Sequence, residues 1–211
     1  MMFDKMRTAM IDSQLRTTGV NDPGVLAALH STPRERFVPQ ARAPLAYADR
    51  AIELVPGRWL MEPMVFGLLL THARIEPEDH VLVIGSGTGY SAAVIAQLTT
   101  HVTALEENPA LAAQARSNGV PTVEGPLTAG WPNAAPYDLL FFDGAIGEVP
   151  KALLAQVREG GRVVAVIVGA NGVGQATAGR VAGGFFAGAA FIEASATMVL
   201  PGFGRPPRFV F

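Results

Sequence analysis

The sequence predicts an α/β fold built on a mostly parallel sheet, and three observations lead to this prediction. Residues 81–84 are four consecutive apolar residues, three of them β-branched, as in a strand that is buried on both faces. A glycine-rich turn and an alanine-rich segment follow this run. Further apolar runs then alternate with helical patterns as far as residue 168, which is typical of a parallel sheet covered by helices.

Length and charge limit the possible classes of protein. The chain has 211 residues, with 16 Lys and Arg against 18 Asp and Glu. This length suits one α/β domain and is too short for two sizeable ones. The balanced charge gives no basic surface of the kind that binds nucleic acid or anionic membranes. We therefore expect neither a nucleic-acid nor a membrane partner.

The absence of cysteine and the hydropathy of the chain exclude further classes of protein. The chain contains no cysteine, which excludes a disulfide framework, a thiolate nucleophile and a Cys-ligated metal site. No apolar run approaches the ~20 residues of a membrane span. The first residues mix charged with apolar side chains and do not resemble a signal peptide. The sequence therefore predicts a soluble, cytoplasmic protein without a metal site, and it does not indicate an oligomeric state.

Residues 1–60 are predicted to form a helical extension over the ligand-binding edge of the sheet, and residues 61–211 the core of a single domain. Apolar residues near helical spacing predict an amphipathic first helix. Asp22 and Pro23 supply a cap residue and a proline at the first position of a second helix. The region has too few apolar residues for a core of its own. The apolar residues of the first helix are Phe3, Met6, Met10 and Leu15.

The first half of the core is predicted to alternate helices with parallel strands. Glu62 and Pro63 open a helix over residues 64–72 that is apolar nearly all round and is therefore expected to be buried. A strand over residues 120–123 contains Pro121, which places it at a sheet edge, as the third strand of a 3-2-1-4-5 order. Between them we predict a helix over residues 91–98, a strand over 102–105 and a helix over 109–119.

The second half of the core is predicted to end in an antiparallel hairpin. Two strands over residues 175–181 and 185–199, joined by a glycine turn, fit a hairpin. The glycines of residues 169–174 lack the Lys-Ser/Thr ending of a phosphate loop and are interpreted as a connection. Residues 209–211 are a possible edge strand. Before the hairpin we predict a strand over residues 137–142, a helix over 150–158 that ends at Gly160 and Gly161, and a strand over 162–168.

The glycine turn has the spacing of a nucleoside-binding turn. Its pattern is G-x-G-x-G, formed by Gly85, Gly87 and Gly89, and glycine lets the backbone take a positive φ and approach a ligand closely. The dinucleotide fingerprint G-x-G-x-x-G requires a small residue where Tyr90 stands. Glu106 closes the next strand, where a carboxylate accepts hydrogen bonds from ribose hydroxyls. Together these residues predict a site for an adenosyl-type ligand.

Several short motifs in series resemble the protein-L-isoaspartate O-methyltransferase family over most of the chain. The resemblance implies a class I methyltransferase fold, which is Rossmann-like. This fold has a mostly parallel seven-stranded sheet with helices on both faces, a C-terminal antiparallel hairpin and an N-terminal helical extension. Besides the glycine turn, the motifs are Gln14-Leu15-Arg16 and Pro33-Arg34 together with residues 25–29, 37–39, 46–47, 49–50, 130–132 and 135–138.

The resemblance also implies a cofactor, a substrate and site residues. The cofactor is S-adenosyl-L-methionine, and the substrate is a protein or peptide that contains isoaspartyl residues. The glycine turn surrounds the methionine part of the cofactor, and Glu106 binds the ribose. The implied cofactor-binding residues are Gly85, Ser86, Gly87, Thr88, Gly89, Tyr90, Glu106, Glu107, Pro126 and Leu127.

The chain departs from the family pattern where the acceptor is expected. The family reads Thr-Ile-Ser-Gln-Pro before the first core helix, and here Met61 and Glu62 replace its serine and its neutral amide. Pro126 stands where the family has the acid that faces adenine, and Asp143 follows the fourth strand in place of a threonine. The candidate catalytic residues are therefore Met61, Glu62 and Asp143. These departures affect the choice of acceptor more than the use of the cofactor.

Each acidic candidate has a functional and a structural interpretation. Glu62 either faces the acceptor or caps the helix at Pro63, and we favour the cap. Asp143 either faces the acceptor or caps a turn, and both interpretations stay open. Methyl transfer to a carboxylate needs no general base, and no histidine is placed to act as one. Two alternatives also stay open: a different acceptor, and a non-catalytic protein that binds S-adenosylmethionine.

Overall fold

The protein is described from a computed structural model that covers residues 2–195 and 198–204. The strands are β1 (Ile52–Val55), β2 (Arg58–Leu60), β3 (Val81–Ile84), β4 (Val102–Glu106), β5 (Thr122–Glu124), β6 (Tyr137–Ile146), β7 (Val157–Val168), β8 (Gly174–Ala182) and β9 (Phe185–Ala194). The α-helices are α1 (Met2–Met10), α2 (Pro23–Ser31), α3 (Pro63–Ala73), α4 (Tyr90–Ile95), α5 (Pro109–Ser117) and α6 (Lys151–Leu154).

Seven strands form one sheet, in the order β5-β4-β3-β6-β7-β8-β9. The pairs from β5 to β7 are parallel, and β7, β8 and β9 are antiparallel. Gly183 and Gly184 form the last turn with φ values of 56° and 77°, which suit a tight hairpin. The predicted fold class, with a parallel sheet that finishes in an antiparallel hairpin, is confirmed.

The central strands carry the core on both faces of the sheet. Val81, Val83 and Phe141 belong to one buried cluster, and Leu82 and Ile84 belong to the other. All four residues of β3 are buried, because helices cover both faces of a parallel sheet. Ile84 lies opposite Leu105 of β4 and Phe142 of β6. The carboxyl ends of these three strands therefore meet at one edge, where open α/β sheets bind ligands.

The helices predicted in the first 73 residues are confirmed. Met10 and Leu15 are buried, and Phe3 and Met6 pack against the same cluster. After α1 the chain continues as a π-helix over Ile11–Leu15. Helix α3 is buried along most of its length, as its apolar composition predicts. Among the described residues, no helix combines the length and the apolar character that crossing a membrane requires.

The predicted cap of α2 forms and gives a testable contribution to stability. The Asp22 carboxylate accepts a hydrogen bond from the Val25 amide at 2.9 Å. We expect Asp22→Ala to lower the free energy of unfolding by about 1 kcal/mol, because that amide loses its partner. Urea unfolding measures the change. Asp22→Asn keeps the acceptor and is expected to match the wild type, and an equal loss in both variants would argue against the cap.

The predicted helix over residues 150–158 is wrong beyond its first turns. Helix α6 ends at Leu154 and β7 already begins at Val157. The Tyr137 amide donates to the Gln156 carbonyl at 2.8 Å, and Arg158 pairs with Asp138 of β6. Because of these contacts with β6, the segment that begins at Val157 forms part of the sheet. Of the two glycines interpreted as a helix end, Gly161 instead permits close approach, since a Cβ there would lie 2.5 Å from the Val157 Cγ1 atom and 3.2 Å from the Asp138 carbonyl oxygen.

Other predicted boundaries also differ from the structure. Strand β6 continues past Phe142 to Ile146, and a shift in its register with β7 accommodates the extra residues. Strand β9 ends at Ala194, so the strand predicted to residue 199 is too long. Helix α4 ends at Ile95, three residues before the predicted end. The edge strand predicted over residues 209–211 lies outside the described residues.

Candidate active site

The glycine turn after β3 has the backbone conformation that its glycines predict. Gly85, Gly87 and Gly89 have φ values of 77°, 56° and 93°, in the region that favours glycine. The amides of Gly85 and Ser86 both donate to the Leu105 carbonyl, at 2.9 and 3.0 Å. The turn is therefore tied to the end of β4.

Glu106 is buried beside this turn and is paired with an arginine. Its side chain is 0% exposed, and that of Arg58 is 7% exposed. The two guanidinium Nη atoms donate to the two carboxylate oxygens at 2.5 and 2.6 Å. The Arg58 Nη2 also donates to the Gly85 carbonyl at 3.1 Å. The structure thus adds Arg58 to the site, a residue that the sequence analysis does not identify.

Glu106 has no further capacity to accept hydrogen bonds. Besides the two from Arg58, its oxygens accept from the amides of Gly87, Glu107 and Asn108 at 2.8, 3.0 and 2.9 Å. A carboxylate offers about four lone-pair sites, and all are engaged by these five donors. Two ribose hydroxyls therefore find no acceptor on Glu106 in this conformation.

Two leucines fill the space in front of the glycines. A Cβ built on Gly87 would lie 3.1 Å from the Leu54 Cδ1 atom. Leu200 lies between the ends of β3 and β6, because a Cβ on Gly85 or on Gly144 would lie 2.7 Å from its Cδ2 atom. The crevice at this switch point of the strand order is where a ligand is expected in such sheets. Leu54 and Leu200 lie against the glycines of this edge, on the sides where a Cβ would stand.

Thr88 and Tyr90 point into the core and away from a ligand. The Thr88 hydroxyl donates to the Phe37 carbonyl at 2.6 Å. The Tyr90 ring is 1% exposed and packs against Phe37 and Phe66, with centroid distances of 5.4 Å to each. Both residues attach the N-terminal region to the glycine turn. The Ser86 hydroxyl is buried and has no hydrogen-bond partner among the described residues.

Glu107, Pro126 and Leu127 lie on the outer side of Glu106. The Leu127 amide donates to the Glu107 carboxylate at 3.4 Å, and the Leu127 side chain is buried. Glu107 and Pro126 line an open cleft of about 850 Å³, together with Gly57 and Arg58. This cleft is large enough for a small heterocycle. The adenine side of the predicted site is therefore open, in contrast to its ribose side.

Asp143 lies inside the core at the end of β6. It is 5% exposed, and its carboxylate accepts a hydrogen bond from the Ser91 hydroxyl at 2.6 Å. Burial raises the pKa of Asp143 to about 6, although the Ser91 hydrogen bond and the charges of Arg58 and Arg34 act in the opposite direction. The structure places Asp143 within a strand, where it caps no turn.

Met61 is buried at the entrance to α3 and is held there by Arg34. The Met61 side chain is 1% exposed, and its carbonyl accepts from the Arg34 Nη2 at 2.5 Å. Arg34 Nε donates to the Ala46 carbonyl at 2.8 Å. The Arg34 Nη1 atom has no hydrogen-bond partner among the described residues. Arg34 thus connects two backbone segments and binds no carboxylate of the described part of the chain.

The Glu62 side chain does not form the predicted helix cap. The Glu62 carbonyl accepts the first helical bond, from Phe66 at 3.0 Å, but its carboxylate makes no capping bond. Asp49 supplies the acceptor instead, for the Met64 amide at 3.0 Å. Burial raises the pKa of Glu62, and the nearby charge of Asp49 raises it further. The predicted cap is wrong because an acid from the preceding loop takes its place.

Glu62 faces a second opening that is acidic. Asp49, Glu62 and Glu193 line a pocket of about 430 Å³ between the start of α3 and the ends of β8 and β9. The Glu62 Oε2 atom is buried and has no partner among the described residues. Three carboxylates in one pocket disfavour an anionic ligand. Of the candidate catalytic residues, Glu62 lines a pocket, and Met61 and Asp143 are enclosed in the core.

In the conformation described, Arg58 takes the positions on Glu106 that the ribose of S-adenosylmethionine would need. The oxygens of Glu106 are saturated, and Leu54 and Leu200 lie against the glycines that would cradle the cofactor. The Ser86 hydroxyl is a buried polar side-chain atom of the turn that has no partner among the described residues. Binding of the adenosine part thus requires Arg58 and Leu54 to move away from the turn.

Comparisons with known proteins identify relatives over most of the chain. Residues 5–178 match the family described as protein-L-isoaspartate(D-aspartate) O-methyltransferase (PCMT). The protein-L-isoaspartate O-methyltransferase of Protochlamydia amoebophila (strain UWE25) is 38% identical over 162 residues, which are 74% of this chain and 77% of that protein. The protein of the same name from Methanoculleus marisnigri (strain ATCC 35101 / DSM 1498 / JR1) is 37% identical over 168 residues, 76% of each chain.

Solved structures share the fold. A protein-L-isoaspartate O-methyltransferase superposes with a TM-score of 0.75 at 24% identity, over 90% of this chain and 63% of that one. A putative protein-L-isoaspartate O-methyltransferase from Plasmodium falciparum, solved in complex with S-adenosyl-L-homocysteine, gives a TM-score of 0.73 at 14% identity, over 93% of this chain and 98% of that one. These similarities support the strand order described above.

Proposed function

This chain belongs to the protein-L-isoaspartate(D-aspartate) O-methyltransferase family, and on that premise we propose that it is an S-adenosylmethionine-dependent O-methyltransferase that modifies a carboxyl group. The observation that carries the proposal is the family match over residues 5–178, which includes the glycine turn and Glu106. The Gly87 amide donates to Glu106 at 2.8 Å. The turn and the acid therefore belong to one unit at the carboxyl edge of the sheet.

We propose that the cofactor is held by residues of this edge. Gly85, Gly87 and Gly89 would approach the cofactor with their backbone, and Glu106 would bind the ribose once Arg58 has left it. Glu107 and Pro126 would border the adenine, in the cleft that they line. S-adenosylmethionine supplies an electrophilic methyl group, and the contribution of this chain is to orient the acceptor and exclude water.

We propose a protein or peptide with isoaspartyl residues as the first candidate substrate, in line with the names of the relatives. A second candidate is a neutral or cationic acceptor. The acidic pocket of Asp49, Glu62 and Glu193 favours it, because like charges repel an incoming carboxylate. Met61 and Glu62, which replace the hydroxyl and amide of the family motif, point in the same direction.

A non-catalytic role is the third candidate, and the Arg58–Glu106 pair favours it. The carboxylate of Glu106 is fully hydrogen-bonded to groups of the chain itself. A protein that does not catalyse methyl transfer can keep its ribose-binding carboxylate in this state. This candidate predicts that no acceptor is methylated at any concentration of cofactor. It is abandoned as soon as one acceptor is methylated catalytically.

Methyl transfer with a labelled cofactor tests these candidates. We expect the chain to form a base-labile methyl ester on a peptide that contains isoaspartate, and none on the same peptide with normal aspartate. Labelling of a neutral or basic peptide without an ester would support the second candidate. Absence of labelling from every peptide, with cofactor far above its dissociation constant, would overturn the proposed enzyme activity.

A further inference from the structure

Strands β1 and β2 form a hairpin that stands apart from the main sheet. The two strands pair antiparallel, with Ile52 opposite Leu60, as a separate two-stranded sheet. A two-stranded hairpin is only marginally stable by itself. Gly57 forms its turn with a φ of 77°, and nothing lies within 4 Å of the position of a Cβ there. The hairpin therefore depends on contacts beyond its own ladder.

Ile52 and Leu60 are buried in the main core cluster, and Arg58 adds a polar contact. Its guanidinium bonds to both oxygens of Glu106 and to the Gly85 carbonyl, which lies in the glycine turn. A bidentate arginine–carboxylate pair is a strong and geometrically specific interaction. This pair joins the hairpin to Glu106, the residue that binds the ribose in the proposed function. Leu54, on the other strand of the hairpin, lies against Gly87.

The hairpin contributes to the lining of the cleft next to Glu107. Pro56, Gly57 and Arg58 form one wall of the 850 Å³ cleft, and Glu107 and Pro126 are on its other side. The opening thus ends at the Arg58–Glu106 pair. A ligand that enters this cleft meets Arg58 before it reaches Glu106.

We propose that the β1–β2 hairpin is an autoinhibitory latch, in which Arg58 occupies the ribose-binding carboxylate Glu106 and must be displaced before a nucleoside ligand binds. This inference rests on the proposed function, because it takes Glu106 as the ribose acceptor. The apparent affinity is reduced by the fraction of molecules in which the latch is open. A signal or partner that draws the hairpin away would therefore activate the protein.

Calorimetric binding of S-adenosylhomocysteine to the full chain tests the latch. We expect Arg58→Gln to bind at least ~10-fold more tightly than the wild type, because the open state becomes more populated. Gly57→Ala strains the hairpin turn without touching the ion pair, and it is expected to shift the affinity in the same direction. This second variant decides the question if Arg58→Gln does not fold.

Arg162→Gln is the matched control. Arg162 of β7 pairs with Asp79, which precedes β3 at the opposite edge of the sheet, and the pair is buried to a similar degree, with exposed fractions of 11% and 7%. We expect this variant to bind like the wild type. An equal gain in Arg162→Gln would reflect general loosening and would overturn the latch.

The remaining outcomes separate the latch from the proposed function. If the wild type binds as tightly as Arg58→Gln and Gly57→Ala, the latch is overturned while the proposed function stands. If none of the proteins binds the ligand, the latch is likewise overturned, and the isoaspartyl peptide assay then reports independently on the enzyme activity.

Discussion

Glu106→Ala is expected to lower the free energy of unfolding by about 3–5 kcal/mol, the usual cost of removing one partner of a buried ion pair. The substitution leaves the Arg58 guanidinium 7% exposed and without its carboxylate. The amides of Gly87, Glu107 and Asn108 lose their acceptor as well. Urea unfolding followed by circular dichroism at pH 7 measures the loss.

A double substitution and a substitution in an exposed ion pair serve as controls for Glu106→Ala. The double substitution Arg58→Met with Glu106→Leu leaves no unpaired charge and should recover the part of the loss that the unpaired charge causes, while the amides of Gly87, Glu107 and Asn108 still lack their acceptor. Glu124→Ala removes the partner of Arg116 in a pair that is about 40% exposed on both sides and should cost less than about 1 kcal/mol. Equal losses from Glu106→Ala and Glu124→Ala would contradict the buried pair.

Asp143→Asn is expected to make stability less dependent on pH between about 4 and 6. The ordinary pKa of an aspartate is 3.8, and burial raises that of Asp143 to about 6. The unfolded chain therefore releases this proton at lower pH than the folded chain. Stability falls as the pH rises from about 4 to about 6, and the loss is complete above that window. The total loss in the free energy of unfolding across this window is about 3 kcal/mol.

Unfolding free energies at pH 4.5 and 7.5 measure this effect as a difference between variants. We expect Asp143→Asn to gain about 2–3 kcal/mol over the wild type on going from the lower to the higher pH, because the amide never ionises. Ser91→Ala removes a hydrogen bond that stabilises the ionised form, so its loss of stability should extend to higher pH. Parallel profiles for the wild type and Asp143→Asn would contradict the raised pKa.

The main sheet was predictable because its strands have local signals. The apolar run of β3 and the glycines that follow it each predict their element from neighbouring residues alone, and so do the cap residue Asn108 and Pro109 at the start of α5. The Asn108 side chain does accept from the Ala110 and Leu111 amides. The segment after α6 lacked such a signal. Its glycines are compatible with a helix end or with a strand, and pairing with β6 decided between them.

The state of the candidate site was not predictable, because it depends on contacts between distant residues. Arg58 and Glu106 are separated by 48 positions, and strands as short as β1 and β2 have no distinct periodicity. Leu200 reaches the glycine turn from the far end of the chain. The sequence offers one local signal, because Arg58 directly precedes the segment in which Met61 and Glu62 depart from the family motif.

The Arg58–Glu106 pair also affects how ligands of this protein are best detected. A ligand that takes over Glu106 breaks a contact that stabilises the ligand-free chain, so the energy it gains is partly spent on opening the hairpin. Thermal-shift screening would therefore underestimate such compounds. Purine fragments that occupy only the outer cleft leave the pair intact, and they are the better starting point for chemical probes.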